Sequence, residues 1–382
     1  MPVRRYRILC GVAPVFLGAA CCVADIDPNS GINFVRVGAV GNAPWMGTNP
    51  PMLPGQDMAL GRGRVDYEYN IGRFEVNTQQ WTAFFNAAFD RPASDRLPWL
   101  GPPSFWGATG TTPQTPGGLR WTVPAGNEMR PVGNISWRMA AMYCNWLHND
   151  KSTDRSAFLN GAYDVSQFSG TDFFTDQLTH NANARYWIPT WDEWIKAAHY
   201  DPNKSGPGQG GYWLYSTRSD TAPIAGPPGA GQANYGWRDG TNSQWTTLLG
   251  AYPQTQSPWG LLDTSGGTAE WTEGTLVGFQ NSHFRVYEGS HWGSAPGFVV
   301  NDSIYAATAA DYPAADYLNL GFRIASAVPS PPSAFVLVSL AALQARRRRR
   351  DATASHSFGD GDVLSGGHLG TCPTDSDDSA RT

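Results

Sequence analysis

The sequence has little cysteine and little charge. Its 382 residues include five cysteines, of which Cys10, Cys21 and Cys22 lie near the start and Cys372 lies near the end. The central part therefore keeps Cys144 alone, which excludes an internal disulfide there. Charged residues make up 15% of the chain, where about a quarter is usual, and the net charge is −5. This balance excludes the basic surface of a nucleic-acid-binding protein.

The two ends of the chain predict export. Met1–Ala24 begins with arginines and continues as an apolar stretch, the pattern of a secretory signal peptide. In segment 328–350, prolines precede the apolar run Ala334–Leu343 and the basic run Arg346–Arg350, and this order resembles a PEP-CTERM sorting signal. The resemblance implies a location at a bacterial cell surface or outside the cell. The apolar run is shorter than the roughly 20 residues of a membrane span, so we expect transient anchoring at most.

The polar residues 351–382 predict a disordered tail, which leaves a central domain at residues 30–327. The chain holds 43 glycines, 29 prolines and 16 tryptophans, a composition that predicts many loops around an aromatic core. Three helices are predicted. The first has Thr78 as its N-cap and repeats aromatic residues at helical spacing from Trp81, the second has Ser136 as its N-cap, and the third opens with a capping box of Thr190 and Glu193.

The rest of the domain is organised around Ser257–Gly274, which reads SPWGLLDTSGGTAEWTEG. Two turns, the second with the tandem glycines Gly266 and Gly267, lead into a strand. Glu270 lies in that strand between two apolar residues, and a carboxylate there needs a cation, N–H donors or water. Further strands are predicted at Phe34–Val40, Thr246–Pro253 and Leu320–Ala325.

This stretch resembles the G-L-x-D-M-x-G-N-V-W-E-W segment of the formylglycine-generating-enzyme (sulfatase-modifying-factor) family. Other stretches match the same family in the same order, and they include Pro131–Leu147, Arg185–Tyr200, Glu288–Ser294 and Leu320–Ala325. The resemblance covers Phe34 to Ala327. It implies an α+β fold of the duplicated C-type-lectin-like kind, with little regular secondary structure.

The family's oxidase binds copper(I) through two cysteines that follow its G-G-S-W element, and soft thiolates suit that metal. By resemblance those two positions are Gly293 and Phe298 here, while Cys144 matches a structural helix cysteine. We therefore expect no copper, no catalytic residues and no formylglycine-generating activity. The expected function is an exported binding or cell-surface module for an unknown ligand or cell-envelope component. Its candidate groove consists of Trp106, Trp259, Ser290, His291 and Trp292.

The resemblance also implies calcium sites, because the family holds calcium with oxygen ligands. The matching positions are Asn234, Tyr235, Gly267, Thr268 and Glu270. Each site has lost a ligand, since Thr241 stands in place of an acidic residue and Gly267 in place of an asparagine. The alternative for Glu270 is a salt bridge to Arg323.

A second hypothesis is an oxidoreductase of the same superfamily with a different metal, of the non-haem iron type. His283, His291 and Glu288 could approach one another across a hairpin and hold iron or zinc. The alternative is that the histidines are scattered and serve in surface contacts or hydrogen bonds. The sequence does not reveal the oligomeric state.

Overall fold

The computed structural model describes residues 25–48, 57–111, 119–171, 173–237, 244–277, 283–294, 302–306, 308–315 and 319–329. The predicted secretory signal, the apolar and basic runs near the C-terminus, the polar tail, Thr241 and Phe298 lie outside these residues. No helix in the described ranges combines the length and the apolar character that a bilayer crossing requires.

The helices are few and short. They are α1 (Thr78–Ala88), α2 (Trp137–His148), α3 (Arg155–Leu159) and α4 (Trp191–His199), with 3₁₀ turns at Ala93–Asp95, Val165–Gln167 and Gln244–Thr246. Helices α1, α2 and α4 are the three that the sequence predicts.

The strands are mostly very short. They are β1 (Asp25–Ile26), β2 (Asn33–Val37), β3 (Tyr69–Gly72), β4 (Thr109–Gly110), β5 (Trp121–Thr122), β6 (Tyr186–Trp187), β7 (Tyr200–Asp201), β8 (Gly211–Tyr212), β9 (Ala269–Val277), β10 (His283–Glu288), β11 (Ala309–Asp311), β12 (Leu320–Gly321) and β13 (Ala325–Ala327).

Two β-sheets form the framework of the domain. The first sheet has the order β1-β2-β3-β13-β6 and is antiparallel throughout, and the second has the order β11-β10-β9-β12. In the second sheet β12 runs parallel to β9, while the other pairs are antiparallel. The α+β class with little regular secondary structure is therefore confirmed.

Side-chain caps fix where the helices begin. Ser136 caps α2, and Thr190 forms the predicted capping box with Glu193 at the start of α4. Helix α1 is capped one residue earlier than predicted, by Asn77, whose side chain accepts a hydrogen bond from the Gln80 amide at 2.9 Å. The Thr78 hydroxyl has other partners, since it accepts a hydrogen bond from the Gly107 amide at 2.9 Å and donates to the carbonyl of Arg130 at 3.0 Å.

The core lies between α1, α2 and the sheets, and aromatic rings fill it. Trp81 stacks on Tyr143 of α2 with ring centroids 5.7 Å apart and meets Phe322 edge-on at 5.9 Å. Cys144 is fully buried beside them, as a small apolar residue would be. Each large apolar side chain buried in this way stabilises the fold by about 1.5–3 kcal/mol.

Two of the predicted strands differ in the structure. Thr246–Pro253 forms turns instead of a strand: the Leu249 amide donates to the carbonyl of Met129, and Gly250 has a φ of +83°. Leu320–Ala325 is divided between two sheets, since β12 belongs to the second and β13 to the first. Arg323 lies where the chain passes from one sheet to the other.

Candidate functional site

Glu270 and Arg323 form a buried ion pair at the junction of the two sheets. Arg323 Nε and Nη2 donate to Glu270 Oε2 and Oε1, both at 2.5 Å, and Trp194 Nε1 donates to Oε2 at 2.7 Å. Arg323 also donates to the carbonyl of Gly72 at 2.9 Å. Burial alone would lower the pKa of Arg323, but the Glu270 carboxylate outweighs it and raises that pKa. The salt bridge given above as the alternative for Glu270 is thus present.

A second buried carboxylate, Glu75, lies against the tandem glycines. Its Oε1 accepts a hydrogen bond from the Thr268 amide at 2.9 Å, and a Cβ placed on Gly267 would lie 2.4 Å from that oxygen. Burial and the charge of Glu270 raise the pKa of Glu75 well above its usual value. Glu75 therefore occupies the space that an asparagine side chain at position 267 would need. No local sequence pattern marks Glu75 as part of this site, because Gly267 lies almost two hundred residues later.

The predicted calcium ligands are neighbours, but their oxygens have other partners. Asn234 pairs with Gly266 in a parallel β-bridge. Its Oδ1 accepts a hydrogen bond from Trp237 Nε1 at 3.1 Å, and both oxygens of Glu270 accept bonds as described above. Within the described residues, no group of three or more His, Cys, Asp or Glu side chains could hold a metal ion. These contacts favour the salt bridge over calcium at Glu270, and a calcium titration would decide between them.

Ser290 and its neighbours form a closed polar turn beside the glycines. Ser290 Oγ donates to Asp302 Oδ1 at 2.7 Å and accepts from the Gly266 amide at 2.8 Å, and Ser265 donates to the other oxygen of Asp302. Burial raises the pKa of Asp302 to about 7. The next turn is closed by His291, whose Nδ1 accepts a hydrogen bond from the Gly293 amide at 3.1 Å.

Residues 290–294, the described part of this turn, contain no cysteine. Gly293 has no side chain, and a Cβ placed on it would lie 3.2 Å from His291 Nδ1. The thiol of Cys144 lies fully buried in α2, where burial raises its pKa well above the usual value. Copper(I) prefers thiolate ligands, and the described residues of this turn supply none.

An aromatic surface lies next to this turn. It consists of Phe105, Arg130, Trp245 and Trp292, all of them half-buried. Phe105 contacts Trp292 with ring centroids 5.1 Å apart and Trp245 at 5.5 Å, and the Arg130 guanidinium lies 5.6 Å from the centre of the Trp245 ring. The Trp292 amide donates to the carbonyl of Gly267 at 2.8 Å, which fixes the surface to the organising stretch.

The structure brings only part of the predicted groove together. Ser290, His291 and Trp292 are adjacent, but Trp106 is buried in the core, where it packs on Phe85 at 5.7 Å and on Trp121 at 5.1 Å. Trp259 is half-buried and packs against apolar residues of the first sheet. Phe105, one residue before Trp106, supplies the aromatic ring of the surface instead.

The structure does not bring His283, His291 and Glu288 together as a metal-binding group. His283 and Glu288 are at opposite ends of β10, which separates their Cα atoms by roughly 16 Å at about 3.3 Å per residue. Glu288 Oε1 accepts hydrogen bonds from Trp191 Nε1 at 2.5 Å and Thr308 Oγ1 at 2.6 Å. Burial raises the pKa of Glu288 to about 8, which favours the neutral carboxyl and disfavours a metal-binding carboxylate.

One cluster of titratable residues has no signal in the sequence, because its members are far apart along the chain. His180 Nδ1 lies 3.0 Å from Glu273 Oε1, and the Tyr163 hydroxyl donates to the same oxygen at 2.6 Å. The imidazole stacks on Trp187 with ring centroids 4.4 Å apart. Burial alone would lower the pKa of His180, but the hydrogen bond and charge of Glu273 outweigh it, and the pKa lies above its usual value.

Comparison with known proteins decides the family. The family model described as "Sulfatase-modifying factor enzyme 1-like domain" matches residues 46–328. The chain belongs to this family. No curated protein matches it significantly. The predicted α+β fold of the formylglycine-generating-enzyme kind is thereby confirmed for this family member.

Several solved structures are similar to this sulfatase-modifying-factor domain. The crystal structure of CarF is 17% identical, with a TM-score of 0.47, and covers 78% of this chain and 99% of its own. Variable protein 1 of Treponema denticola is also 17% identical, with a TM-score of 0.46, and covers 78% of this chain and 95% of its own. PvdO from Pseudomonas aeruginosa is 13% identical, with a TM-score of 0.43, and covers 80% and 98%.

Proposed function

We propose that this sulfatase-modifying-factor domain is an exported, non-oxidising member of its family that binds a cell-envelope component. The observation that carries the proposal is the turn at Gly293, where the resemblance expects a copper-binding cysteine and the residue offers no ligand atom. By the same resemblance the partner position is Phe298. Cys144, buried in α2, cannot replace them.

The aromatic surface is the part of the domain that we assign to ligand binding. Its rings contact one another and are half-exposed, and aromatic faces of this kind bind sugar rings and other flat apolar groups. Arg130 adds a positive charge at its edge. Export and placement at the cell surface follow from the segments Met1–Ala24 and 328–350, and Ala334–Leu343 would supply transient anchoring.

The first experiment tests the loss of oxidase activity. The purified chain, supplied with copper(I) and oxygen, is incubated with a sulfatase-motif peptide, and the peptide cysteine is followed by mass spectrometry. We expect no formylglycine product. Conversion of the cysteine would end the proposal, because it would show that the domain activates oxygen without the cysteine pair.

The second experiment tests the aromatic surface. Tryptophan fluorescence is recorded while soluble peptidoglycan fragments or chitohexaose are added to the wild-type chain and to Trp292→Ala. The control is Trp213→Ala, which removes a half-buried tryptophan outside the aromatic surface. We expect saturable binding that Trp292→Ala weakens about tenfold and the control leaves unchanged. Equal binding by all three proteins would remove the aromatic surface from the proposal.

A further inference from the structure

A cleft of about 650 Å³ opens beside the C-terminal end of α1, in a part of the domain that the proposed function does not use. Its apolar lining comes from Phe89, Leu97 and Leu100, and its charged lining includes Arg96 and Arg120. A volume of roughly 300–1,000 Å³ is typical of small-molecule sites. We call this the arginine cleft.

A third arginine of the cleft, Arg91, is committed to the structure. Its Nη2 donates to Asp95 Oδ2 at 2.5 Å, and its Nη1 donates to the carbonyl of Thr153 at 2.8 Å. Its guanidinium also lies over the Phe158 ring at 5.4 Å. These contacts join the segment after α1 to α3, so Arg91 is a scaffold for the cleft and its charge is already balanced.

Arg96 and Arg120 have unused hydrogen-bonding capacity. Arg120 donates through Nε to both oxygens of Asp90, at 2.9 and 2.7 Å. Among the described residues, neither of its terminal NH₂ groups makes a hydrogen bond, and the exposed guanidinium of Arg96 forms neither a hydrogen bond nor an ion pair. A guanidinium presents planar donors that match the two oxygens of a carboxylate or the face of a tetrahedral oxyanion.

Three arginines and one aspartate line the cleft, so its lining is positively charged. Asp90 pairs with Arg120, and Asp95, which is outside the lining, pairs with Arg91, so Arg96 is the lining arginine that no carboxylate offsets among the described residues. This local excess is opposite in sign to the chain's net charge of −5. The C-terminal end of α1 repels anions weakly within one turn, and the two guanidinium groups oppose that effect at shorter range.

We propose that the arginine cleft binds a small anion that carries an oxyanion group on an apolar body. Arg96 and the terminal NH₂ groups of Arg120 would bind the oxyanion, and Phe89, Leu97 and Leu100 would cover the apolar body. The oxyanion can be a carboxylate, a sulfate or a phosphate, because all three present oxygens to a guanidinium in the same way.

The experiment uses the full chain and two probes of equal shape. Calorimetric titration with 2-naphthoate is compared with titration by the neutral 2-naphthamide, at low and at high salt. The double variant R96Q/R120Q removes the two charges, and Arg36→Gln serves as the control because Arg36 pairs with Glu68 on the first sheet. Circular dichroism establishes that each variant is folded. Replacing the naphthoate with naphthalene sulfonate and naphthyl phosphate then distinguishes the three oxyanions.

We expect the affinity for 2-naphthoate to be at least about ten times the affinity for 2-naphthamide. The affinity for 2-naphthoate should fall as salt is added. R96Q/R120Q should lose this preference, whereas Arg36→Gln should keep it. Equal binding of the two probes by the wild-type chain would overturn the proposal. So would a preference for naphthoate that a folded R96Q/R120Q retains.

Discussion

Arg323 and Glu270 connect the two sheets of the domain through a pair of parallel hydrogen bonds, each 2.5 Å long. Glu270 belongs to β9 of the second sheet, and Arg323 lies between β12 and β13 and also bonds to the carbonyl of Gly72 at the end of β3. Both side chains are almost completely excluded from solvent. The stability of the junction therefore depends on keeping both charges together.

Arg323→Leu should be strongly destabilising. The substitution leaves the Glu270 carboxylate buried with Trp194 Nε1 as its remaining donor among the described contacts. Removing one partner of a buried ion pair costs about 3–5 kcal/mol of unfolding free energy. Urea denaturation followed by fluorescence measures this loss. Arg36→Leu removes one partner of the exposed pair with Glu68, and it should cost less than about 1 kcal/mol. Similar losses for the two variants would contradict our account.

The space beside Gly267 can be tested with a matched pair of alanine substitutions. Gly267 and Gly31 have nearly the same φ, at +76° and +75°. A Cβ on Gly31 would have no neighbour within 4 Å, whereas a Cβ on Gly267 would lie 2.4 Å from Glu75 Oε1. Gly31→Ala should therefore cost about 1–2 kcal/mol from backbone strain, and Gly267→Ala a further 1–3 kcal/mol or so from overpacking. Thermal unfolding measures both, and equal losses would contradict the packing of Glu75.

The cluster of His180 and Glu273 predicts a dependence of stability on pH. The folded-state pKa of His180 lies above 6.5, so proton binding favours the folded state. Its contribution is complete below pH 6.5 and is lost as the pH rises through the folded-state pKa. His180→Gln should therefore lose on the order of 1 kcal/mol of unfolding free energy below pH 6.5 and much less at pH 8.

His148 provides a control of opposite sign for that measurement. Burial and the charge of Arg185 lower the pKa of His148, so its contribution is present above pH 6.5 and is lost as the pH falls. The difference between wild type and His148→Gln should therefore change with pH in the reverse direction. Parallel pH profiles for the two variants would show that the hydrogen bond of His180 to Glu273 has no effect on stability.

Calcium binding follows from the family resemblance and can be tested directly. Because both oxygens of Glu270 bond to Arg323, a calcium ion at Glu270 would first have to break that pair. We expect the thermal unfolding midpoint to be the same in millimolar CaCl₂ and in EDTA. A midpoint that rises with calcium concentration would show that the ion binds the folded state, and loss of that rise in Asn234→Ala would locate it.

The sequence predicts well those features that local chemistry controls. The caps of α2 and α4 follow from short-range signals at Ser136 and at Thr190 with Glu193, and the structure confirms both. The region after Thr246 shows the limit of such signals, because its apolar residues resemble a strand but its backbone bonds to Met129, more than a hundred residues earlier. No local pattern encodes that contact.

In the candidate site, too, the sequence predicts local neighbours but not contacts between distant segments. Ser290, His291 and Trp292 are consecutive, so the sequence places them together. Trp106 and Phe105 are also consecutive, yet the direction in which each ring points depends on the loop that contains them, and composition cannot choose between them. The placement of Glu75 against Gly267 depends on two segments almost two hundred residues apart.

The position of β13 in the first sheet governs when this domain can fold on the ribosome. β13 is the last described strand, and it hydrogen-bonds to β3 on one side and to β6 on the other. A nascent chain that stops before Arg323 holds both neighbours but has a gap between them, and it also lacks the buried partner of Glu270. Synthesis must therefore pass residue 327 before the sheet can close. Until then the incompletely folded chain is accessible to chaperones and proteases.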